Sequence, residues 1–405
     1  IRDVAVTGVQ TCALPIYWII KECDEIKDLI IPDYNNLGAL VPSGESAETG
    51  RANKRTVLAL KARTALYAAS PLFNSHQEGS QGYKELWYRA AKANKELIET
   101  CEDAGMRLID DYENLWDAKS YSIAIDELIF GCRAIRATNS FEKYNFPVGL
   151  ENCRGGNCPT QTLVDAYELK DSGERPDKKA DYDKNKPYYE GRDPRFEKTI
   201  AKNGDTKWPN WNETALETYQ GGANAEPLSG GTPTGYYLKK YCQTSINTTT
   251  AKPTTDNHTW IIYRLGEFYL NYAEALFKYL GTAYATNNEF PIPANEMVSK
   301  TRRRTKVNMP KFPAGLDNKL WWEKYQNERM VELAFEGHRF WDVRRWKEGD
   351  KHFSSIDEMK IYKSGDSYSY RRVTVNRQWD DKMYFFPIPQ SEKAKNPNLT
   401  QNPGW

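Results

Sequence analysis

The sequence predicts a mostly α protein, a tetratricopeptide-like helical-repeat scaffold carrying long irregular loops. Three observations predict it. Several segments place apolar residues at helical spacing. Those stripes set small residues beside large aromatics, so paired helices can approach closely. Between them lies a middle stretch rich in Gly, Pro, Asn, Thr and Tyr with few apolar runs. The chain of 405 residues is 39% hydrophobic and 27% charged, which suits a globular protein with a sizeable core.

The elements follow in order. Residues 1–16 (IRDVAVTGVQTCALPI) show no helical stripe and no polar cap. They resemble translated sequencing-adapter sequence and are expected to lie outside the fold, which then runs over 17–405. Lys54–Ala69 reads as a helix through Leu58, Ala62, Ala65, Leu66 and Ala69, ended by Pro71. Residues 83–100 form a second helix, with Leu86, Ala90, Ala93 and Leu97 on one face. The polar loop 74–82 joins the two as a helical hairpin. Residues 264–280 give the cleanest helix. Leu265, Phe268, Tyr272, Leu276 and Tyr279 form one stripe, and Glu267, Asn271, Glu274 and Lys278 the opposite one. Gly281 stands where a left-handed cap belongs. Residues 321–346 read as one further long helical region. Leu265-Gly266-x-x-Tyr269 matches the start of the tetratricopeptide pattern, but no constant period of about 34 follows. The organisation expected is a scaffold over 17–138, a loop-rich ligand-binding region over 139–260, and a scaffold with a C-terminal tail over 261–405.

Composition narrows the function. Lys plus Arg is 56 and Asp plus Glu is 55, so the net charge is +1, which excludes the basic surplus of a nucleic-acid binder. No run of about 18 apolar residues is present to cross a membrane. There is no GxSxG, Walker A, HExxH or GxGxxG motif, so no cofactor or catalytic set is implied. Four histidines leave little for a metal centre. Cys153-Arg-Gly-Gly-Asn-Cys158 is a loop that a disulfide could close. It lacks the second Cys/His pair that zinc would need.

The densest polar cluster spans 328–346. On one continuous helix Glu332, Glu336 and Arg339 would share a face and His338 would reach Asp342. Paired carboxylates there would allow acid/base chemistry, but equal numbers of arginines favour an ion-paired structural role. The 12 Trp, 26 Tyr and 14 Phe offer flat rings. In the middle loops Trp208 and Trp211, flanked by Asn210 and Asn212, suit a sugar platform: ring faces stack on pyranose C–H groups and amides take hydroxyls. Tyr188 and Tyr189, and Tyr144 with Arg154 and Asn157, are the alternative positions. The competing reading is that these rings pin the loops to the scaffold.

Six stretches in order resemble the landmarks of the SusD/RagB family: 50–74, 159–171, 191–196, 263–276, 328–346 and 386–403. The resemblance implies a non-catalytic outer-membrane lipoprotein of Bacteroidetes that takes part in polysaccharide utilisation and nutrient uptake. It implies a glycan ligand, or sometimes a peptide, handed to a SusC-like TonB-dependent transporter. Contact with the membrane would come only through a lipid anchor, ahead of the Gly50 landmark and preceded by a signal peptide. Apolar surface near 29–31 and 58–66 is then expected to be uncovered. The resemblance fixes no ligand-contacting residue. An all-helical glycoside hydrolase and a tetratricopeptide-like protein-binding adaptor are the competing functions.

Overall fold

The computed structural model describes residues 8–32, 50–133 and 136–405. Its scaffold is a row of helices, each packed on the next: Gly8–Ile26 on Lys54–Ala69, then Gln81–Asp103, Leu265–Leu280 and Ala294–Arg302. The first helix begins inside the adapter-like segment, whose residues 1–7 lie outside the described residues. The hairpin expected from sequence is present. Asn53 caps its first helix by accepting from the Thr56 amide at 3.1 Å, and Ser80 caps the second through Tyr83 at 3.3 Å. Gly281, at φ +80°, closes Leu265–Leu280 in the left-handed conformation.

Two expectations are corrected, and the polar stripe opposite Leu265 and Phe268 proves to be buried. Leu58, Ala62, Ala65 and Leu66 are buried against neighbouring helices, whereas Leu29 is 84% exposed. Glu267, Asn271 and Glu274 are not a solvent face. The Leu265–Leu280 helix is buried on all sides because it sits mid-row and its carboxylates meet arginines from other segments. The 321–346 region is two helices, Asn318–Glu332 and Arg339–Arg345. Phe335 and Gly337, at φ +59° and +80°, turn the chain between them.

The core is one large cluster threaded through the row, with Trp87, Phe268, Leu276, Trp321 and Tyr325 at its centre. The middle of the chain leaves the scaffold through strand Leu128–Arg133 and returns through Thr259–Arg264. These two strands pair antiparallel, so the loop-rich lobe is clasped at its base. Smaller apolar clusters hold the lobe, one built on Phe146, Trp208 and Tyr237 and another on Tyr167, Phe196 and Tyr236. The second cluster is completed by Met359 and Ile361 of a hairpin, Ser355–Ser364 with Ser367–Asn376, turned at Gly365-Asp366.

Candidate functional site

The polar cluster near residue 336 is buried and ion-paired. Glu332 accepts from Arg195 at 2.6 Å, Arg264 at 2.7 Å and Arg304 at 2.9 Å. Glu328 accepts from Arg195 and Arg302. Glu336 accepts from Arg264 at 2.7 Å and from Lys240 at 2.7 Å. A second group joins Arg329 and Arg345 to Asp342 and Glu274. The arginines overcome the penalty of burial and hold the Glu336 carboxyl down to about 2. Carboxylates so depressed and shut from solvent cannot hand a proton to a glycosidic oxygen. The expected His338–Asp342 pair is met through the backbone, where the Asp342 amide donates to the His338 carbonyl at 2.9 Å. The His338 imidazole lies 3.9 Å from Glu267, and burial pushes it down to about 4. The network does mechanical work: it ties Arg195 to Glu328 and Glu332 of the Asn318–Glu332 helix, Lys240 to Glu336 just beyond it, and Glu127 to Arg304.

The aromatic loops divide into rings used internally and rings left free. Trp208 is buried, edge-on to Phe146 at 5.4 Å, with the Lys239 ammonium 5.8 Å from its ring centre. Asn212 is buried too, donating to the Thr214 carbonyl at 2.9 Å within its own loop. Trp211 is half-buried, and its indole N–H donates to the Ile246 carbonyl at 2.8 Å. Asn210 is exposed, with its backbone amide on the Thr244 carbonyl. Tyr189 packs into the lobe and donates to the Tyr236 hydroxyl. Tyr188 stacks on Tyr182, and its hydroxyl donates to the Asp181 carbonyl at 2.6 Å. These contacts favour the pinning role for Trp208, Asn212, Tyr188 and Tyr189.

Tyr144 is different. It lies at the end of the short helix Ser140–Asn145 and is 53% exposed. Its ring lies against the backbone of Gly156, where a Cβ would come within 2.2 Å of it. Gly156 is therefore the residue that lets the ring lie flat. Beside it is an open hollow of about 570 Å³ lined by Ser140, Lys143, Tyr144, Asn152, Cys153 and Arg154. The Arg154 guanidinium is exposed and no carboxylate pairs with it among the described residues. Asn152 is held over the hollow by donating to the Thr248 carbonyl at 2.8 Å, and Asn157 braces Asn145 at 2.5 Å. The 246–250 segment thus carries both Trp211 and Asn152, so the Trp211 loop adjoins the hollow. Sequence reasoning named Tyr144, Arg154 and Asn157 but missed Lys143 and Asn152. Their signal was position alone, within the same two loops.

Cys153 and Cys158 are free thiols rather than a closed disulfide. Cys153 shares a hydrogen bond with the Thr248 hydroxyl at 3.2 Å, and burial pushes its thiol up to about 11. Among the described residues no group of His, Cys, Asp and Glu is placed to hold a metal ion, and no helix is long and apolar enough to cross a membrane.

The sequence profile of the SusD family matches residues 127–405. No curated protein matches. Among solved structures, a SusD-like protein from Bacteroides fragilis superposes with a TM-score of 0.73 at 25% identity, covering 96% of this chain and 71% of its own. A SusD-like carbohydrate-binding protein from the same organism gives 0.71 at 22% identity, covering 99% and 75%. Surface glycan-binding protein A from Bacteroides fluxus gives 0.54 at 19% identity, covering 100% and 80%.

Proposed function

Because this chain belongs to the SusD family, we propose that it is a cell-surface glycan-binding protein that captures oligosaccharide for a SusC-like TonB-dependent transporter of the outer membrane. The observation that carries this reading is the family match over 127–405, which spans the whole lobe and the hollow beside Tyr144. The hollow has what a sugar site needs. An exposed ring offers a face to pyranose C–H groups, the Lys143 and Arg154 cations offer donors to hydroxyls, and the Asn152 amide, its N–H groups spent on Thr248 and Thr250, offers its oxygen as an acceptor. The protein binds without turnover, a reading supported by the arginine-locked carboxylates of its densest acidic cluster. A lipid anchor would hold it at the outer membrane. Affinity electrophoresis against plant, host and microbial polysaccharides tests the binding, with a reducing-end assay run on the same mixtures. Retardation by at least one glycan without new reducing ends is expected. Hydrolysis, or no retardation by any glycan, contradicts the reading.

A further inference from the structure

A second feature lies away from the hollow, where helix Arg339–Arg345 meets the C-terminal segment. Phe340, Trp341 and Phe386 are all exposed, at 40%, 45% and 57%, and form one patch. Their ring centres are 5.0 Å apart for Phe340–Trp341, 6.0 Å for Phe340–Phe386 and 6.1 Å for Trp341–Phe386. Three adjacent wet rings are costly on a surface unless something covers them. Beneath them lies Arg344, only 8% exposed. Its guanidinium carbon sits 3.5 Å from the centre of the Phe340 ring and is flanked by Phe386, Trp379 and Phe353 at 5.4–5.8 Å.

Arg344 stands apart from the other buried arginines described. Arg195, Arg264, Arg302, Arg304, Arg329 and Arg345 each meet carboxylates, and Arg192 donates from all three nitrogens to backbone carbonyls. Among the described residues Arg344 meets no carboxylate: its Nε donates to the Met383 carbonyl at 3.1 Å, and its Nη1 has no partner. The neighbouring Trp379 indole N–H is likewise buried without an acceptor. Cation–π contact offsets part of the cost of a buried charge, yet two orphaned donors in one cage call for an acceptor. Burial alone acts on this guanidinium and lowers its basicity.

We propose that this cage is a second binding subsite, specific for a carboxylate-bearing sugar such as a uronic acid residue of an acidic glycan. The sugar ring stacks on Trp341 and Phe386. Phe386, the most exposed ring, turns aside so that the carboxylate reaches Arg344 in charge-assisted hydrogen bonds. The proposal rests on the glycan-binding reading above and names a substrate class for it.

The test is calorimetry of the full 405-residue chain with an oligogalacturonate and with its methyl ester, which keeps the ring and loses the charge. The acid is expected to bind about tenfold or more tightly than the ester. Phe386→Ala and Trp341→Ala, surface changes that leave the melting temperature in place, are expected to weaken the acid several-fold. Tyr144→Ala is expected to leave the preference for acid over ester unchanged. Equal binding of acid and ester overturns the proposal, as does full binding by both Phe386→Ala and Trp341→Ala. A poly-glutamate peptide that binds as tightly as the oligogalacturonate also overturns it, because the cage would then read acidic chains rather than sugars. A neutral oligosaccharide bound through Tyr144 while the acid is ignored overturns this subsite and leaves the glycan reading standing.

Discussion

Replacing Glu332 with Gln should destabilise the fold far more than an ordinary surface change. Six basic groups, Arg195, Arg264, Arg302, Arg304, Lys240 and Lys324, interlock there with six acidic ones, Asp193, Glu127, Glu168, Glu328, Glu332 and Glu336. Glu332 serves three arginines at once and is fully buried. Gln keeps the shape and one acceptor but leaves one buried positive charge in excess. Breaking a buried ion pair by removing one partner costs about 3–5 kcal/mol. Arg195 retains Asp193 and Glu328, Arg264 retains Glu127 and Glu336, and Arg304 retains Glu127, so no guanidinium is stripped bare. That places the loss near the lower end, about 3 kcal/mol, a large share of a net stability of about 5–15 kcal/mol. Urea unfolding followed by circular dichroism reads it as a lowered midpoint at unchanged slope. A shift equivalent to less than about 1 kcal/mol, the scale of an exposed pair, would refute the claim that this network braces the lobe.

The remaining predictions use the same features. Glu336 and Glu348 are held to about 2, and Glu267, Glu274 and Glu328 also lie below the ordinary 4.5. The unfolded chain therefore binds protons that the fold does not, and the buried His338, pushed down to about 4, acts in the same direction from about pH 6.5 downwards, so stability begins to fall below about pH 6.5 and falls more steeply from about pH 4.5 towards 2; a melting temperature flat across that window would contradict this. Trp208→Ala should lower stability by about 3 kcal/mol or more, because it empties a buried site rather than a platform; normal stability with lost glycan binding would restore the platform idea. Gly156→Ala should displace the Tyr144 ring and weaken glycan binding at unchanged melting temperature, read by calorimetry. Removing residues 1–16 should leave the melting temperature unchanged, as foreign sequence would; a drop of several degrees on thermal unfolding would make the segment part of the fold.

Legibility in the sequence followed the range of the interactions. Lys54–Ala69 was readable because its apolar spacing, Asn53 cap and Pro71 stop are all local. Leu265–Leu280 was readable as a helix but not as a buried one, since Arg63 and Arg345 lie 204 and 71 residues from the carboxylates they neutralise. The break after Glu332 was hidden because a phenylalanine, not only a glycine, takes the left-handed conformation there. The 355–376 hairpin alternates in period two around Gly365-Asp366, a signal present but overshadowed by the helical stretches before it. In the site, the Tyr144–Asn157 loops were visible as aromatics beside polar residues. The same signature at Trp208 marked a packed ring, because composition cannot tell which face of a loop meets the lobe interior. The Arg344 cage escaped notice because Phe340 and Phe386 lie 46 positions apart and look like scaffold and tail.

The most direct test is calorimetry of the retarding oligosaccharide on wild type, Tyr144→Ala and Arg154→Ala. Tyr144→Ala is expected to lose about 2 kcal/mol, roughly thirtyfold in affinity. Arg154→Ala should lose a smaller but clear part, and both should unfold at the wild-type temperature because neither side chain braces the fold. Wild-type affinity in both variants would contradict the assignment of glycan binding to this hollow.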